Sequence, residues 1–356
     1  MKILISGYKF PSIAEGIAHE FESRGFATCI FFLDDKRHWI DKYVLKRLNS
    51  FLRLICFRRE DFPCLTNTRF NPERWYQRRF ARLFYDFDPD IVFAIQGKPV
   101  FSIASFLGGR ARFFGWWIEP SDIELEILRN AGGFDRYYSY SSKSMEILRA
   151  NQVHCGYLSH GYSPSIFRPL TTVSKKYDLV FVGNWSPWRD QVLVEALKVT
   201  SNVRIYGPRW QRRFSIHKAL LRQVYGGDKI DETALNELYN SAKIVLNASR
   251  VRNSSGLNMR FFEVLGSGSL LLTDQAPELE RHFTPDVELI VFRDLIELKD
   301  KIRHLLENGS ARRAVASQGY SKAQGNHTYA TLVGKLVPDL SLPDSSKLRL
   351  TASLES

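Results

Sequence analysis

Short apolar segments alternate with helical segments along this chain, and the alternation occurs twice. In the first half, buried strands are indicated by KILISG, FATCIFFLDD, DPDIVFAIQG and ARFFGWWIEP, and a helix by IAEGIAHEFESRG. In the second half, the strand pattern returns in YDLVFVG, NVRIYG, AKIVLN and SLLLTD. Strands that alternate with helices build a mostly parallel sheet covered by helices. The sequence therefore predicts an α/β protein.

A stretch rich in Pro, Ser, Thr and Lys, GYLSHGYSPSIFRPLTTVSKK, separates the two halves and breaks the periodicity. A chain of 356 residues is long enough for two domains that each bury a core. We predict two Rossmann-like domains rather than one twelve-stranded sheet, which would be unusually large. The predicted segments are a first domain at 1–160, a linker at 161–176, a second domain at 177–325, a helix at 326–340 that packs back on the first domain, and a tail at 341–356.

The formal net charge of +12 predicts an acidic partner, which leaves phosphates, nucleic acid and an anionic membrane surface open. The sequence has no run of about 18 apolar residues. Its beginning, MKILISGYKFPS, indicates a strand rather than a signal peptide, so we expect a cytoplasmic protein. The four cysteines form no CxxC pair, which favours reduced thiols over a metal site.

Two basic segments, 36–60 and 69–87, carry aromatic residues interleaved with arginine and lysine. Their apolar residues recur at mostly helical spacing, which predicts amphipathic helices. Such helices bind the surface of an anionic membrane in some proteins. In others they pack on their own sheet and expose the cations to solvent. Both interpretations stay open at this point.

Several motifs argue against other enzyme classes. The DFDP motif at 86–89 precedes a predicted strand instead of ending one, which favours a turn over a metal site. Gly7, Gly16 and Asp34 do not form a GxGxxG fingerprint. The sequence also lacks GxxxxGK[ST], GxSxG and HExxH, which excludes typical P-loop enzymes, α/β hydrolases and zincins.

The second half contains a candidate anion site in LVFVGNWSPWRD. A strand is followed by Gly183 and Asn184, then by a helix that we expect to begin near Pro187, with Arg189 in its first turn. Free backbone N–H groups at a helix N-terminus and a guanidinium both favour a diphosphate. The same turn is common in α/β proteins, so it can also be purely structural. A second strand, NVRIY, ends at Gly207 and Pro208 in a loop able to line a nucleobase.

Two opposite charges, Arg260 and Glu263, lie three residues apart in GLNMRFFEVLGSGSLLLTD. On a helix this spacing places them on one face. If that face is exposed, they form a salt bridge worth less than about 1 kcal/mol. The flanking residues are apolar and indicate a buried helix, where charges require specific partners.

The order VGNWSPWR, IYGPRW, YNSAKIVLNAS, GLNMRFFEVLGSGSLLLTD and HTYATLVGKLV resembles the C-terminal domain of GT-B glycosyltransferases of the group 1 type. The resemblance is closest to the CgeB-like branch, named after a spore-maturation protein, and SHGYSPSIFRP is similar to that family's interdomain linker. It covers roughly residues 130–338, whereas earlier residues share mainly the architecture and WWIEPSD. It implies two Rossmann-like domains facing a central cleft, with no cofactor and no metal.

The resemblance also assigns roles to donor-binding residues. Glu263 matches the glutamate that accepts hydrogen bonds from the donor ribose, and a carboxylate suits a vicinal diol. Arg260 and Arg189 would offset the charge of the departing diphosphate in place of a metal. The remaining members of the donor set are positions near the phosphates or the base: Gly183, Asn184, Gly207, Pro208, Gly256 and Asn258.

One position departs from the family pattern. In many group 1 enzymes a first glutamate stands eight positions before the second, where this chain has Ser255. Contact with the donor sugar is therefore in doubt. By the same resemblance, Gly7 would let the first loop approach the donor. Glu119, after the strand ARFFGWW, would be a catalytic base or would orient an acceptor hydroxyl, although it can equally belong to a turn and helix cap.

The resemblance implies a retaining, metal-independent transferase that moves a sugar from a nucleotide-diphosphate donor to a bacterial glycan or glycolipid. The first domain would bind the acceptor, and the basic segments would contact an anionic membrane. Two alternatives remain, a nucleotide-sugar epimerase of the same fold and a non-enzymatic basic protein that binds membrane or nucleic acid. The cationic segments carry no nucleic-acid recognition motif, so we expect no nucleic-acid partner.

Overall fold

The computed structural model describes residues 1–9, 11–33, 72–95, 109–118, 131–210, 218–250 and 255–341, and the single positions 100, 104, 107 and 128. Within these ranges the strands form two sheets of six strands each. Every pair of neighbouring strands is parallel. The prediction of two α/β units is confirmed, and the alternative of a single twelve-stranded sheet is wrong.

The first sheet contains β1 (Lys2–Gly7), β2 (Ala27–Phe32), β3 (Ile91–Ile95), β4 (Arg112–Trp117), β5 (Arg136–Ser139) and β6 (Cys155–Tyr157). The second contains β7 (Tyr177–Val182), β8 (Val203–Tyr206), β9 (Tyr225–Gly227), β10 (Ala242–Asn247), β11 (Leu271–Asp274) and β12 (Ile290–Phe292).

Helices cover both sheets. In the order of the chain the described helices are α1 (Ile13–Glu22), α2 (Pro72–Phe87), α3 (Ser142–Ala150), α4 (Pro187–Leu197), α5 (Lys218–Val224), α6 (Glu232–Asn240), α7 (Met259–Gly266), α8 (Leu279–His282), α9 (Leu295–Glu307), α10 (Gly309–Asn326) and α11 (Tyr329–Ser341). None of them is long and apolar enough to cross a membrane.

Each sheet has a point where the strand order reverses. The first sheet runs β2-β1-β3-β4-β5-β6, so the chain leaves β1 on one side and returns on the other as β3. The second runs β12-β11-β10-β7-β8-β9, which places the reversal between β7 and β10. In open α/β sheets, ligands bind outside the carboxyl ends of the strands at such a reversal. The topology therefore predicts that a ligand would bind near the loops that follow β1, β3, β7 and β10.

Helix α2 shows how one basic segment folds. Its buried face consists of Tyr76, Phe80 and Phe84, which pack on the first sheet. Full burial of a Phe side chain contributes about 1.5–3 kcal/mol. The cations Arg78 and Arg82 lie on the exposed face. For this segment the structure shows a helix packed on its own sheet, whereas the other basic segment, 36–60, lies outside the described residues.

After the second domain, the chain crosses back to the first domain, where its last described helix packs. Residues 162 and 328 form an isolated parallel bridge where the chain crosses between the two sheets. Helix α11 then packs against α1, with Leu332, Val333 and Leu336 buried in the same core cluster as Ile17. At its far end, Asp339 forms an ion pair of 2.7 Å with Arg136 of β5.

Candidate active site

The carboxyl ends of the two sheets face each other across a cleft. The backbone N–H of Ser12, in the loop after β1, donates to Oε1 of Glu232 at 3.0 Å. The hydroxyl groups of Ser141, after β5, and Ser255, after β10, share a hydrogen bond of 2.7 Å. These contacts join loops from both sheets, so the cleft has walls from both domains. Ser255, the position of the absent family glutamate, is part of this contact.

The reversal point of the second sheet collects most of the predicted donor-binding residues. Gly183 and Asn184 directly follow β7, and Gly256 and Asn258 lie in the connection from β10 to α7. Strands β7 and β10 are hydrogen-bonded neighbours, with Val180 opposite Val245. Because both strands end at the same edge, the two loops lie side by side there.

The side chain of Arg189 forms hydrogen bonds to both of these loops, the one after β7 and the one after β10. Ser186 caps α4 by accepting the N–H of Arg189, and the side chain is 9% exposed. Its Nε donates to the carbonyl of Ala248 at 2.8 Å, and its Nη1 donates to the carbonyl of Asn184 at 2.9 Å. Burial lowers the pKa of Arg189 to about 10, which still leaves it charged at neutral pH. Among the described residues no carboxylate forms an ion pair with it. The site therefore holds a buried positive charge under the loop after β7.

Arg260 and Glu263 form an ion pair on α7, together with Tyr239 of α6. Nη1 of Arg260 contacts Oε2 of Glu263 and donates to the Tyr239 hydroxyl at 3.2 Å. The Tyr239 hydroxyl lies 3.4 Å from the same carboxylate oxygen. The sequence predicted that the two charges share a helix face, and the structure confirms this spacing. It also shows them bonded to each other rather than directed to separate partners.

The carboxylate of Glu263 is 4% exposed. Burial raises its pKa, and the adjacent charge of Arg260 opposes that shift. Burial likewise disfavours the charged form of Arg260, but Glu263 and Tyr239 together outweigh this effect and raise the pKa of Arg260. In the described part of the chain no hydrogen bond is made to Oε1 of Glu263, whereas Oε2 is bonded to both Arg260 and Tyr239.

Gly256 and Asn258 shape the loop between β10 and α7. Gly256 has a φ of +84°, and an added Cβ would lie 2.5 Å from the ring of Tyr140 in the first domain. Only glycine fits this conformation and this approach. Asn258 caps α7, because its Oδ1 accepts the N–H of Arg260 at 3.0 Å. The cap holds Arg260 in the first turn of the helix.

The loops after β7 and β8 pack on each other. Gly207 has a φ of +134°, and an added Cβ would lie 2.1 Å from the carbonyl oxygen of Gly183. That carbonyl accepts the indole N–H of Trp210 at 2.8 Å, and the carbonyl of Pro208 accepts a backbone N–H at 3.0 Å. The N–H of Gly183 is used as well, since it donates to Tyr206 at 2.9 Å. The backbone N–H and carbonyl of Gly183 are thus both used within the protein, and the N–H groups at the start of α4 are the ones left to an anion in the prediction.

Two predicted residues belong to the first domain. At Gly7, an added Cβ would lie 2.8 Å from Cβ of Ala14, so the glycine lets the end of β1 approach α1. Glu119 lies outside the described residues. Among the described residues, no group of three His, Cys, Asp or Glu side chains is placed to hold a metal ion.

The structure adds residues that sequence reasoning missed. Tyr239 bonds both members of the ion pair, and Ser12, Ser141 and Glu232 form contacts between the domains. Tyr239 lies on the buried face of an amphipathic helix, where the sequence pattern indicates only a core residue. The other three are ordinary capping or surface types whose partners lie far away in sequence.

Known structures share this architecture. HepE of Anabaena, solved in complex with UDP-glucose, is similar with a TM-score of 0.69 and 13% identity over 96% of this chain and 99% of that chain. The sucrose-phosphate synthase of Thermosynechococcus elongatus gives 0.67 and 11% over 96% and 99%. A UDP-forming α,α-trehalose-phosphate synthase from Burkholderia xenovorans gives 0.59 and 12% over 95% and 98%. The fold is therefore the GT-B fold of two Rossmann-like domains, as predicted.

The amino-acid sequence of the second domain is also similar to a known family. Residues 189–337 match the model of a family described as glycosyl transferase-like, Glyco_trans_1_2. Among curated proteins no sequence match was found. The matched region contains Arg189, Asn258, Arg260 and Glu263, the residues that build the second wall of the cleft. The chain carries a glycosyltransferase domain within the GT-B fold, and the prediction of a glycosyltransferase is confirmed at that level.

Proposed function

We propose that this enzyme transfers a sugar from a nucleotide-diphosphate donor, in the first instance a UDP-sugar, to a bacterial glycan or glycolipid. The observation that carries the proposal is the pair of cations at the reversal point of the second sheet beside Glu263, the buried Arg189 and the half-buried Arg260. Positive charge in a water-poor crevice favours a diphosphate, and a buried carboxylate favours a ribose diol. The structures of HepE with UDP-glucose support the choice of uridine.

The ion pair on α7 suggests how the donor is held. Oε1 of Glu263 would accept hydrogen bonds from the ribose, while Oε2 stays bonded to Arg260 and Tyr239. The guanidinium of Arg260 would then be fixed in the first turn of α7. As the bond between sugar and diphosphate breaks, negative charge accumulates on the leaving group. A preorganised guanidinium stabilises that charge without a metal, which is the metal-independent mechanism that we propose.

The first domain would supply the acceptor side of the cleft. We propose Glu119 as the residue that orients or deprotonates the acceptor hydroxyl. Retention of configuration is part of the proposal because of the resemblance to the group 1 type, and so is the placement in the CgeB-like branch. A glycolipid acceptor would require contact with the membrane, for which 36–60 and the exposed cations of α2 are the candidate surface.

A binding measurement tests the donor site. Nucleotide-sugars with different bases and sugars are added singly, and a donor that binds the native state raises the melting temperature. Glu263→Gln keeps a hydrogen-bond acceptor for Arg260 but removes the charge. We expect the affinity for the best donor to fall about 10- to 100-fold, since hydrogen bonds to charged groups contribute about 1.5–3 kcal/mol.

Glu237→Gln is the matched control, because Glu237 is an exposed carboxylate on the neighbouring helix α6. It should leave donor affinity unchanged. If Glu263→Gln folds and binds every nucleotide-sugar as tightly as the wild type by calorimetry, the assigned ribose contact is wrong. Incubation with donor alone, followed by analysis of the sugar, separates transfer from epimerisation.

A further inference from the structure

A second cleft opens where the chain crosses between the domains. The two crossing segments are held together by the N–H of Tyr162, which donates to the carbonyl of His327 at 3.0 Å. The N–H of Tyr329 donates back to Tyr162 at 2.9 Å. Beside this junction lies a cleft of about 380 Å³, here named the hinge cleft, which is lined by 157–160, Arg281, His282 and residues of α10 and α11. It shares no residue with the predicted donor site.

The charged lining of the hinge cleft is cationic. Its charged members are Arg281, Lys322 and Lys335, and none of its described lining residues is acidic. In the described part of the chain none of these three forms an ion pair. The guanidinium of Arg281 lies 3.7 Å from the centroid of the Tyr157 ring. Arg281, Lys322 and Lys335 all lie close enough to His282 to lower its pKa. The described lining has no negative charge to offset them, so the cleft has a positive potential that attracts anions.

The nearby carboxylate of Glu278 does not fill this role. It accepts the hydroxyl hydrogen bond of Tyr157 at 3.0 Å and a backbone bond from Ser142. Glu278 itself is buried and is not part of the lining. Its charge is thus already engaged in fastening α8 to the first domain.

Two buried imidazoles, His160 and His327, and the half-buried His282 complete the lining. His327 is 6% exposed, and neither of its ring nitrogens has a hydrogen-bond partner of normal geometry in the described residues. An unsatisfied buried polar group costs about 1–3 kcal/mol. Burial, reinforced by Arg281, Lys335 and Lys322, lowers the pKa of His282 to about 4. The neutral imidazole of His327 can donate from one ring nitrogen to an anion without adding charge when the cleft is empty, whereas Nε2 of His282 is already hydrogen-bonded to the Tyr157 hydroxyl at 2.6 Å.

We propose that the hinge cleft binds an oxyanion, namely the phosphate or diphosphate group of a small molecule or of a lipid headgroup. Arg281 belongs to the second domain, whereas Lys335 lies on α11, which packs on the first. An anion that contacts both therefore ties the two domains together. The volume exceeds what one phosphate requires and leaves room for the group to which the phosphate is attached.

The test uses the full chain and inorganic pyrophosphate, titrated by calorimetry at a fixed low ionic strength to limit screening. In the Arg260→Gln background, which weakens the predicted donor site, Lys322→Gln/Lys335→Gln should weaken pyrophosphate binding at least tenfold and abolish the rise in melting temperature that pyrophosphate causes. Lys198→Gln/Lys229→Gln changes the charge equally at exposed positions and should bind as the wild type does. Arg260→Gln alters the predicted donor site and should retain binding in the hinge cleft.

A parallel arm identifies the source of the phosphate. Vesicles of phosphatidylcholine with and without phosphatidic acid are floated with the wild type and with Lys322→Gln/Lys335→Gln. Loss of vesicle binding in the variant assigns a lipid headgroup, and loss of pyrophosphate binding alone assigns a free phosphorylated molecule. If the variant folds and neither kind of binding responds to the substitutions, the proposal is overturned. If Arg260→Gln alone removes pyrophosphate binding, the anion occupies the donor site instead.

Discussion

The two domains present different chemistry at the edges that face each other. At the second sheet, the described side chains include the buried charges Arg189 and Glu263 and the half-buried Arg260. At the first sheet, the loops after β1 and β5 contribute Ser12 and Ser141 to the contacts between the domains, and the charged Lys9 in the loop after β1 is exposed. Charge is costly to bury, so it is retained where a charged partner has to be recognised. Among these described residues, buried charge lies at the edge of the second sheet, which is where we propose that the charged part of the donor binds.

The largest loss of stability should come from a substitution at Gly207, where the loop after β8 packs on the loop after β7. Gly207→Ala places a Cβ 2.1 Å from the carbonyl oxygen of Gly183 and forces a φ of +134° on a residue with a side chain. Backbone strain of this kind costs about 1–3 kcal/mol, and the overlap adds to it. We expect the free energy of unfolding in urea to fall by about 3 kcal/mol or more.

Gly25→Ala is the counterpart in the first domain. Gly25 has a φ of +82°, but an added Cβ there meets no atom within 4 Å. The expected loss is only the backbone strain, about 1 kcal/mol. Equal losses for the two substitutions would show that the loops after β7 and β8 are not held as tightly as the structure indicates.

The next-largest loss of stability should come from protonation of His160 in the first domain at acidic pH. Burial lowers the pKa of this histidine to about 4 from its ordinary 6.5. As the pH falls below 6.5, the unfolded chain takes up the proton before the folded chain does. Stability is therefore complete above about pH 6.5, declines towards pH 4 and then levels off, with a loss of at most about 3 kcal/mol for this residue.

His160→Phe isolates that contribution. The ring lies against Trp116 and Tyr140, at centroid distances of 5.7 Å and 4.8 Å, so an aromatic replacement preserves the packing. Urea unfolding between pH 6.5 and 4 should show a shallower decline for the variant. His282 and His327 have lowered pKa values for the same reason and keep part of the slope. An unchanged slope would assign the acid sensitivity elsewhere.

The smallest effect concerns the outer surface of the first domain. Arg82→Gln removes one exposed cation from α2, and about 1 kcal/mol per cation corresponds to a roughly fivefold weaker partition onto anionic vesicles. Arg222→Gln removes an exposed cation from the second domain and should have no effect. Flotation of each variant gives the comparison. Failure of the wild type to bind anionic vesicles would contradict membrane association.

The long strands were predictable because their apolar runs are buried on both faces. Strands β1 and β3 are almost entirely buried, and the last four of the six residues of β7 are buried. Strands β6, β9 and β12 have three residues each and were missed. A three-residue strand has no periodicity to recognise, and its pairing depends on the neighbour that a tertiary fold provides.

The candidate site was predictable to the extent that it is local. The spacing of Arg260 and Glu263 predicts a shared helix face, and the turn at Ser186 and Pro187 predicts the start of α4. The contact between Ser12 and Glu232 spans 220 positions and has no local signal. The hydrogen bonds of the Gly183 backbone were also not predictable, because they arise when the loops after β7 and β8 fold against each other.

The return of α11 to the first domain has a consequence for biosynthesis. The apolar side of α1 is covered by residues such as Leu332 and Leu336, which the ribosome makes after the whole second domain. Until then, the first sheet can form but one of its faces stays open to water or to a chaperone. Domains generally fold in the order of their synthesis. In this chain, the domain that begins first is therefore the one that is completed last.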